Sequence, residues 1–446
     1  MITLVGVISF YLNLLPKTWL DESEIIVNTV LGSIFIFSLV KHQSFSPQRF
    51  AIFLTFSTLS VQIWLIQTIS QYTNFGKIFS LALFCLYGVL NFLVFFVLAQ
   101  ANKVVFRHLN YLSLPLLWAA WEMLPLQLFK WKLVYLFSSE SYVPCSVGTV
   151  GSTFISFNLL LIITFFKEKL YHRGIISLIV LITLECHVAP NFEKNIVKEK
   201  QLLLVQPNHS LEDKHNPEKI ITLLEDINQL IDANSEKVDL IVLPESVFQY
   251  FIDRDLRNIR QDAFLSNIRL STSLIFGALT SHHGQAFNSV LFIDPDGNVR
   301  GIYDKVILMP FGEYIPLRGI LKFIDKFHPI EDFSSGKNPE NIVLEGLSFL
   351  PLVCYEDLFD NYVLASSDKA DVLLVVSNDL WFGRYLAPYL HDRFAAFRSK
   401  ETGRILIRVS NSGYTTVYYP THLKPFRLPP NKKLADVAKM KVIKVS

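Results

Sequence analysis

Cys354 is the residue of this chain whose surroundings are those of a nucleophile. It closes the apolar run Leu350-Pro351-Leu352-Val353 and is followed at once by Tyr355-Glu356-Asp357. No other cysteine occurs after about residue 190. Upstream lie an acidic motif, Leu243-Pro244-Glu245-Ser246, and a basic one, Tyr303-Asp304-Lys305, each near a strand-like run. The thiolate is the attacking form of cysteine, so a base that takes its proton and a cation that favours the anion both help. Glu245 and Lys305 are residues of those two types. The expected chemistry has Cys354 attacking, Glu245 as base and Lys305 as the positive charge.

The other cysteines do not compete for this role. Cys85 and Cys186 fall in apolar stretches, where a small buried hydrophobe is expected, and Cys145 falls in a short loop. No CxxC or Cys/His spacing suggests zinc, and neither metal nor cofactor is expected. Cys354 has no disulfide partner in its own part of the chain, so it is expected as a free thiol even in an oxidising compartment.

The elements that must position this trio fall into two contrasting halves. A chain of 446 residues suggests two or three domains. It is 51% hydrophobic and 18% charged, with 37 Phe, which is greasier than an ordinary soluble enzyme. The net charge is +2 and no dense basic patch occurs, so nucleic acid is not an expected partner. Seven apolar stretches precede residue 190, roughly Ile2–Leu15, Ile25–Val40, Phe50–Ile69, Ile78–Ala99, Tyr111–Phe129, Thr149–Phe166 and Gly174–Val188. A spanning helix needs about 20 apolar residues, which the third, fourth and fifth supply best. The first lacks a basic leader and a small-residue cleavage site, so it is expected to stay as a span.

Basic residues cluster in alternate loops: Lys41 and Arg49, Lys103 and Arg107, then Lys167, Lys169 and Arg173. Lys130 and Lys132 are the exception. The positive-inside rule then places the N-terminus in the cytoplasm and the part after the seventh crossing outside, on the periplasmic side in a bacterium. Glu122 and Glu185 are the carboxylates within spans, expected at an interface or paired between helices.

From about residue 195 short β-rich runs alternate with an amphipathic helix. Strands are expected at Leu202–Val205, Val238–Leu243, Leu274–Leu279, Ser289–Ile293, Ser348–Val353, Val372–Val376, Ile405–Val409 and Tyr414–Tyr419, and a helix at Pro217–Ala233. Asp294-Pro295-Asp296-Gly297 reads as a hairpin turn. Strands this apolar without strict alternation suggest sheets covered on both faces, with Glu245 and Cys354 at strand ends, where open α/β sheets place their sites.

The order Glu245, Lys305, Cys354 resembles the Glu-Lys-Cys triad of the nitrilase (carbon–nitrogen hydrolase) superfamily. Tyr303-Asp304-Lys305 with Met309-Pro310-Phe311-Gly312-Glu313-Tyr314-Ile315-Pro316 resembles the lysine segment of the apolipoprotein N-acyltransferase family. Cys354-Tyr355-Glu356, Ser377-Asn378-Asp379-Leu380-Trp381-Phe382-Gly383, His391, Arg398, Glu401, Gly403-Arg404, Arg408, Asn411 and Gly413 continue the match, and Gln206-Pro207-Asn208 matches the first strand's end.

That resemblance implies a multi-pass α-helical membrane domain of about seven helices over 1–190. An α/β catalytic domain, an αββα nitrilase-like sandwich, follows over 195–446. It implies a bacterial inner-membrane protein whose catalytic domain lies in the periplasm. Such an enzyme moves an acyl chain from a membrane phospholipid to the α-amine of a diacylated apolipoprotein through a Cys354 thioester. Glu313, Tyr355, Glu356, Trp381 and Tyr314 are implied as supporting or substrate-binding residues, with Glu313 orienting Lys305. His391 is expected as a fixed structural histidine.

The apolar stretch Ile315–Ile324 is expected as an arm at the lipid interface. The family pattern adds a closing membrane helix. Here the last segment carries Lys432, Lys433, Lys439, Lys441 and Lys444 instead, and is expected as a strand with a solvated edge. The triad by itself also allows a membrane-tethered amidase or nitrilase, and a weakly active lipoprotein-binding paralogue is a third reading.

Overall fold

The computed structural model describes residues 2–13, 15, 24–42, 46–72, 76–104, 107–124, 127, 129–139, 142–144, 146–188, 196–234, 238–310, 312–315, 318, 332–337, 339–384, 386–421 and 423–443. The chain divides into two compact units, one made of Met1–Ser70 and Phe75–Asn191, the other of Gln71–Asn74 and Phe192–Ser446.

The first unit is helical. Its main helices are Ile2–Asn13, Glu24–His42, Pro47–Val61, Lys77–Val104, Ser113–Met123, Ser152–Lys167 and Tyr171–Val188. Among the described residues one helix, Lys77–Val104, is long and apolar enough to cross a bilayer; Leu4–Asn13, Ile26–His42 and Ser152–Lys167 are apolar but shorter. Three of the seven expected runs are not single helices; the sixth is divided at Gly151, φ 81°, between Val147–Val150 and Ser152–Lys167. The third breaks after Val61 and resumes at Leu65–Tyr72. Ser57 and Ser60 bond back to the carbonyls of Phe53 and Ser57 at 2.9 and 2.8 Å, a habit that bends helices, and the ladder then tightens, Leu65 N donating to Gln62 O. The fifth is α-helical over Ser113–Met123, after a 3-10 turn at Arg107–Leu112, and ends there because Leu124 precedes Pro125 and is forced to an extended ψ of 142°.

Unlike water-soluble helices, those of this unit carry apolar side chains on their outward face as well as their inward one. Helix Lys77–Val104 buries Ser80, Gly88, Asn91 and Asn102 along one stripe, while Ile78, at 87% exposed, and Leu86, Leu93 and Val97 face outward. A Cβ on Gly88 would meet Leu59 at 2.9 Å, so the small residue permits close approach of two helices. Cys85, expected inside, is on the outward face of that helix. The two carboxylates are structural partners. Glu122 accepts from Trp118 Nε1 and Leu133 N, both at 2.8 Å, and Glu185 accepts from the Tyr142 hydroxyl at 3.1 Å and Ser146 N at 3.0 Å.

The second unit is an α/β fold of two sheets. Its strands are β1 Ile196–Gln206, β2 Leu240–Val242, β3 Phe251–Asp253, β4 Ser273–His282, β5 Gln285–Ile293, β6 Val299–Asp304, β7 Ile342–Leu344, β8 Leu347–Val353, β9 Val372–Ser377, β10 Ile405–Ser410, β11 Thr415–Tyr418, β12 Phe426–Leu428 and β13 Leu434–Ile443. One sheet runs β13-β1-β2-β4-β5-β6, with β3 also paired to β4, and the other runs β12-β11-β10-β9-β8-β7. β1, β2 and β4 are mutually parallel, as are β8, β9 and β10.

Alternation along the strands sorts the two faces. Leu203, Val205, Leu274, Phe276 and Leu291 pack with Ile220, Leu224, Ile227 and Ile231 of the helix Ile220–Asp232. On the opposite face Phe292 of β5 meets Phe349 of β8, ring centroids 5.8 Å apart. Helix Leu386–Thr402 is buried over most of its length and hydrogen-bonds to residues of the second sheet. Burial on both faces explains the unbroken apolar runs of β9 and β10. The lysine-bearing tail includes β13, antiparallel to β1 at the sheet's edge, as expected.

Candidate active site

Glu245, Lys305, Cys354, Asn378 and Asn411 each follow the last residues of a strand. β2 leads to Glu245, β6 to Lys305, β8 to Cys354, β9 to Asn378 and β10 to Asn411. These strands run in one direction within their sheets, so their ends converge. The turns are tight. Cys354 has φ 49°, Ser246 φ 43° and Asn208 φ 53°, left-handed conformations that are costly for residues with a Cβ and persist where the surroundings hold them. Close packing behind the base requires glycine. A Cβ on Gly277 would lie 2.5 Å from Glu245 Cα. Gly277→Ala should therefore push the Glu245 main chain aside and lower turnover by about 100-fold while the protein still folds, checked by specific activity alongside thermal unfolding.

One cleft is lined by Glu245, Asn288, Lys305, Glu313, Cys354, Asn378 and Trp381. The Lys305 ammonium bonds to Glu313 Oε1 at 2.9 Å and Oε2 at 2.8 Å. Glu313 is itself fixed by Met309 N at 2.8 Å. The Asn288 amide nitrogen donates to both Glu245 Oε1 and Glu313 Oε1, each at 2.8 Å, and so bridges the two carboxylates. Asn378 N donates to the other oxygen of Glu245 at 2.8 Å.

The charges follow from burial and neighbours. Burial, then the Glu245 carboxylate, push the Cys354 thiol well up, against the pull of Lys305. Burial also raises Glu245, with Lys305 opposing and Glu313 adding to the rise. Burial works against the Lys305 charge, but Glu313, Glu245 and Cys354 outweigh it and raise its pKa. The resting cleft thus holds a protonated thiol, a carboxylate whose basicity is enhanced and a fixed ammonium. That arrangement can deprotonate a thiol as it attacks a carbonyl and can hold the resulting oxyanion. Among the described residues no set of three or more His, Cys, Asp or Glu side chains is placed to hold a metal ion.

The family model for carbon–nitrogen hydrolases matches residues 202–423, which contain every one of these groups. The chain belongs to the carbon–nitrogen hydrolase family. An apolipoprotein N-acyltransferase of Rickettsia prowazekii is 28% identical over 362 residues, 76% of this chain and 72% of that protein. Another, from Pseudomonas aeruginosa, is 32% identical over 229 residues, 49% of this chain and 44% of that protein. A solved carbon–nitrogen hydrolase superfamily protein of Xanthomonas campestris, 17% identical, overlays with a TM-score of 0.42, covering 55% of this chain and 91% of that one.

The remaining candidates of this hydrolase-family site divide by location. Trp381 lines the cleft, half-exposed, with its ring 5.7 Å from that of His215. Glu356 and Tyr355 do not line it. Glu356 accepts from Val353 N, Val306 N and Ile307 N at 2.7, 2.7 and 3.1 Å and from the Tyr303 hydroxyl at 2.8 Å. It therefore ties the cysteine turn to the lysine loop, and burial lifts its pKa to about 7. Tyr355 is buried against Phe359. Tyr314 is half-buried and bridges Pro310 in the loop after Lys305. The expected arm Ile315–Ile324 lies outside the described residues except for Ile315 and Arg318, both of which bond to Asp332.

His391 is buried and does not line the cleft. Its Nε2 lies 2.8 Å from Asp357 Oδ1 and 3.2 Å from the Cys354 carbonyl oxygen, and its Nδ1 lies 2.8 Å from Asp379 Oδ1. Burial opposes its charge, but Asp357 and Asp379 lift its pKa to about 9. Asp379 is also held bidentately by Arg408, at 2.9 and 2.7 Å.

Two residues escaped sequence reasoning, and a third was not singled out. Asn288 sits inside β5, where nothing distinguishes it from a strand residue. Asn378 was visible only as part of a motif. Lys214 is buried and donates to the Glu245 carbonyl oxygen at 3.4 Å; burial pushes its pKa down to about 8, with Glu245 opposing.

Proposed function

We propose that this chain is an apolipoprotein N-acyltransferase, which moves an acyl chain from a membrane phospholipid to the N-terminal α-amine of a diacylglyceryl-cysteine lipoprotein. The observation that carries this reading is the reach of the likeness. The match to the Rickettsia acyltransferase covers 76% of this chain, more than the segment Phe192–Ser446 can supply, so it takes in part of the apolar unit as well. A small-amide hydrolase has no need of the apolar unit.

The chemistry runs in two half-reactions. Glu245 takes the Cys354 proton as sulfur attacks the ester carbonyl of the phospholipid, and Lys305 faces the oxyanion. Collapse expels the lysophospholipid alkoxide, which takes the proton from Glu245 and leaves an acyl thioester on Cys354. The lipoprotein amine then attacks the same carbonyl and gives a proton to Glu245. The thiolate leaves, is reprotonated, and the amide is formed. Glu313, Tyr355, Glu356, Trp381 and Tyr314 support this centre, Glu313 by orienting Lys305.

The apolar unit fits a multi-pass membrane domain at 1–190 that holds the catalytic part, 195–446, at the periplasmic face of the inner membrane. Its outward apolar side chains and inward Asn and Ser residues suit a hydrocarbon solvent. Each CH₂ taken out of the bilayer costs about 0.8 kcal/mol, so a site held at the membrane surface avoids extracting the donor.

The test uses the full chain in lipid. Incubation with phospholipid labelled in its acyl chain should give protein-bound, hydroxylamine-sensitive label, which a diacylated lipopeptide then removes as an amide. Hydrolysis of small amides with no label from lipid would leave the tethered amidase as the answer instead.

A further inference from the structure

Asn378 directly follows β9 and is 1% exposed, yet it lines the cleft. The orientation of its amide is dictated by a chain of hydrogen bonds that begins at backbone atoms. His209 N donates to Asn411 Oδ1 at 3.0 Å, and Asn411 Nδ2 donates to the His209 carbonyl at 2.9 Å. An amide nitrogen only donates and an amide oxygen only accepts, so those two bonds fix which way Asn411 points. Asn411 Nδ2 also donates to Asn378 Oδ1 at 3.1 Å. The oxygen of Asn378 is thereby turned toward Asn411, and its nitrogen is on the other side.

That nitrogen, Asn378 Nδ2, has no hydrogen-bond acceptor among the described residues. A desolvated donor without an acceptor is destabilising, and such groups in a reactive cleft await a substrate atom. The same residue's backbone N–H holds Glu245 Oε2 at 2.8 Å, so the free donor sits on the residue that fixes the base.

The geometry points to Asn378 Nδ2 as a donor to the acyl carbonyl oxygen, on the assumption, taken from the function proposed above, that this oxygen becomes an oxyanion over Cys354. Two arguments select the carbonyl oxygen among the substrate's atoms. The attacking amine needs its lone pair for carbon, so a donor aimed at it would oppose the reaction. The carbonyl oxygen is present in both half-reactions and gains charge in each. There is also a shortage for Asn378 to fill. Lys305 has three N–H bonds, and both oxygens of Glu313 lie within 2.9 Å of its nitrogen, so its ammonium is largely committed before substrate arrives.

The test compares acylation of Cys354 in single-turnover reactions by a phospholipid ester and by its thionoester, whose C=S accepts hydrogen bonds poorly. Asn378→Asp keeps the oxygen that Asn411 holds and the backbone bond to Glu245 but replaces the donor. Asn411→Ser leaves the Asn378 amide intact but removes the bond that sets its orientation. Asn378→Asp should slow ester acylation by about 100-fold with little change in the concentration for half-maximal rate, and the ester-to-thionoester rate ratio should fall by a similar factor. Asn411→Ser, which frees the Asn378 amide to turn, should lower the ratio in the same direction but by less.

An Asn378→Asp ratio equal to that of the unaltered protein overturns the assignment. So does a ratio near one in the unaltered protein, which needs no variant to fold. If the unaltered protein takes label from neither lipid, the proposed function itself falls and the assignment with it, an outcome distinct from label with an unchanged ratio.

Discussion

Cys354→Ala should take no acyl label from phospholipid, and transfer to a diacylated lipopeptide should fall by about 10⁴–10⁶-fold. The size of the effect follows from what remains. Glu245 and the Lys305–Glu313 pair keep their places, since the hydrogen bonds that fix the two carboxylates come from Asn288, Asn378 and Met309 rather than from the thiol. The cleft can still bind an ester and face its oxygen with an ammonium. It lacks the thiol that carries the acyl group, and direct attack by the lipoprotein amine would have to occur at a carbonyl positioned for sulfur. The fold should be little affected, because alanine meets the same left-handed φ as cysteine and the turn is held by Glu356 and His391. The unfolding midpoint and the label are therefore read together. Hydroxylamine-sensitive label persisting on folded Cys354→Ala protein would place the acyl group elsewhere and remove Cys354 from the chemistry.

Much of this site was legible because its residues close strands. β8 begins one residue before its expected start and ends where expected, at Val353, and the apolar run that stops at Cys354 marks both the end of a buried strand and the start of the reactive turn. The Asp294–Gly297 turn fixed the β5–β6 hairpin, which carries the chain to Lys305. Other features are products of folding alone. Asn288 reaches both Glu245 and Glu313 only because β5 lies beside β4, and nothing local in sequence marks that. Glu356 looked like a neighbour of the nucleophile; its four donors come from Val353 and from the 303–307 segment, about 50 residues away in the chain.

The helical unit shows the complementary failure. Hydropathy reads composition, so it found apolar runs but not the break at Gln62–Trp64, where hydroxyls compete for carbonyls, nor the weight of one proline in ending the helix at Met123. It also misplaced Cys85, because a run of apolar residues does not say which side of a helix meets its neighbours.

Glu245→Gln should lower the acylation rate by about 10²–10⁴-fold and, more tellingly, change its pH dependence. In the unaltered protein Glu245 must be ionised to accept the thiol proton. Its pKa is raised by burial above the ordinary carboxylate value, so activity should be lost on acidification through a limb displaced upward from that range. The sign is that of a base: full rate above the raised pKa, loss below it.

Glutamine cannot take the proton, so the residual rate should have no such limb. It should rise with pH instead, as the small thiolate fraction of a thiol with a raised pKa increases. Glu356 titrates near 7 in the same unit and would give a limb of its own through the loops it ties together. A limb that survives unchanged in Glu245→Gln therefore belongs to Glu356 and not to the base. Glu313→Gln adds a check of direction, since Glu313 contributes to the raised pKa of Glu245, and neutralising it should move the limb to lower pH. A Glu245→Gln protein that acylates within about 10-fold of the normal rate, with the limb in place, would mean that another group removes the thiol proton.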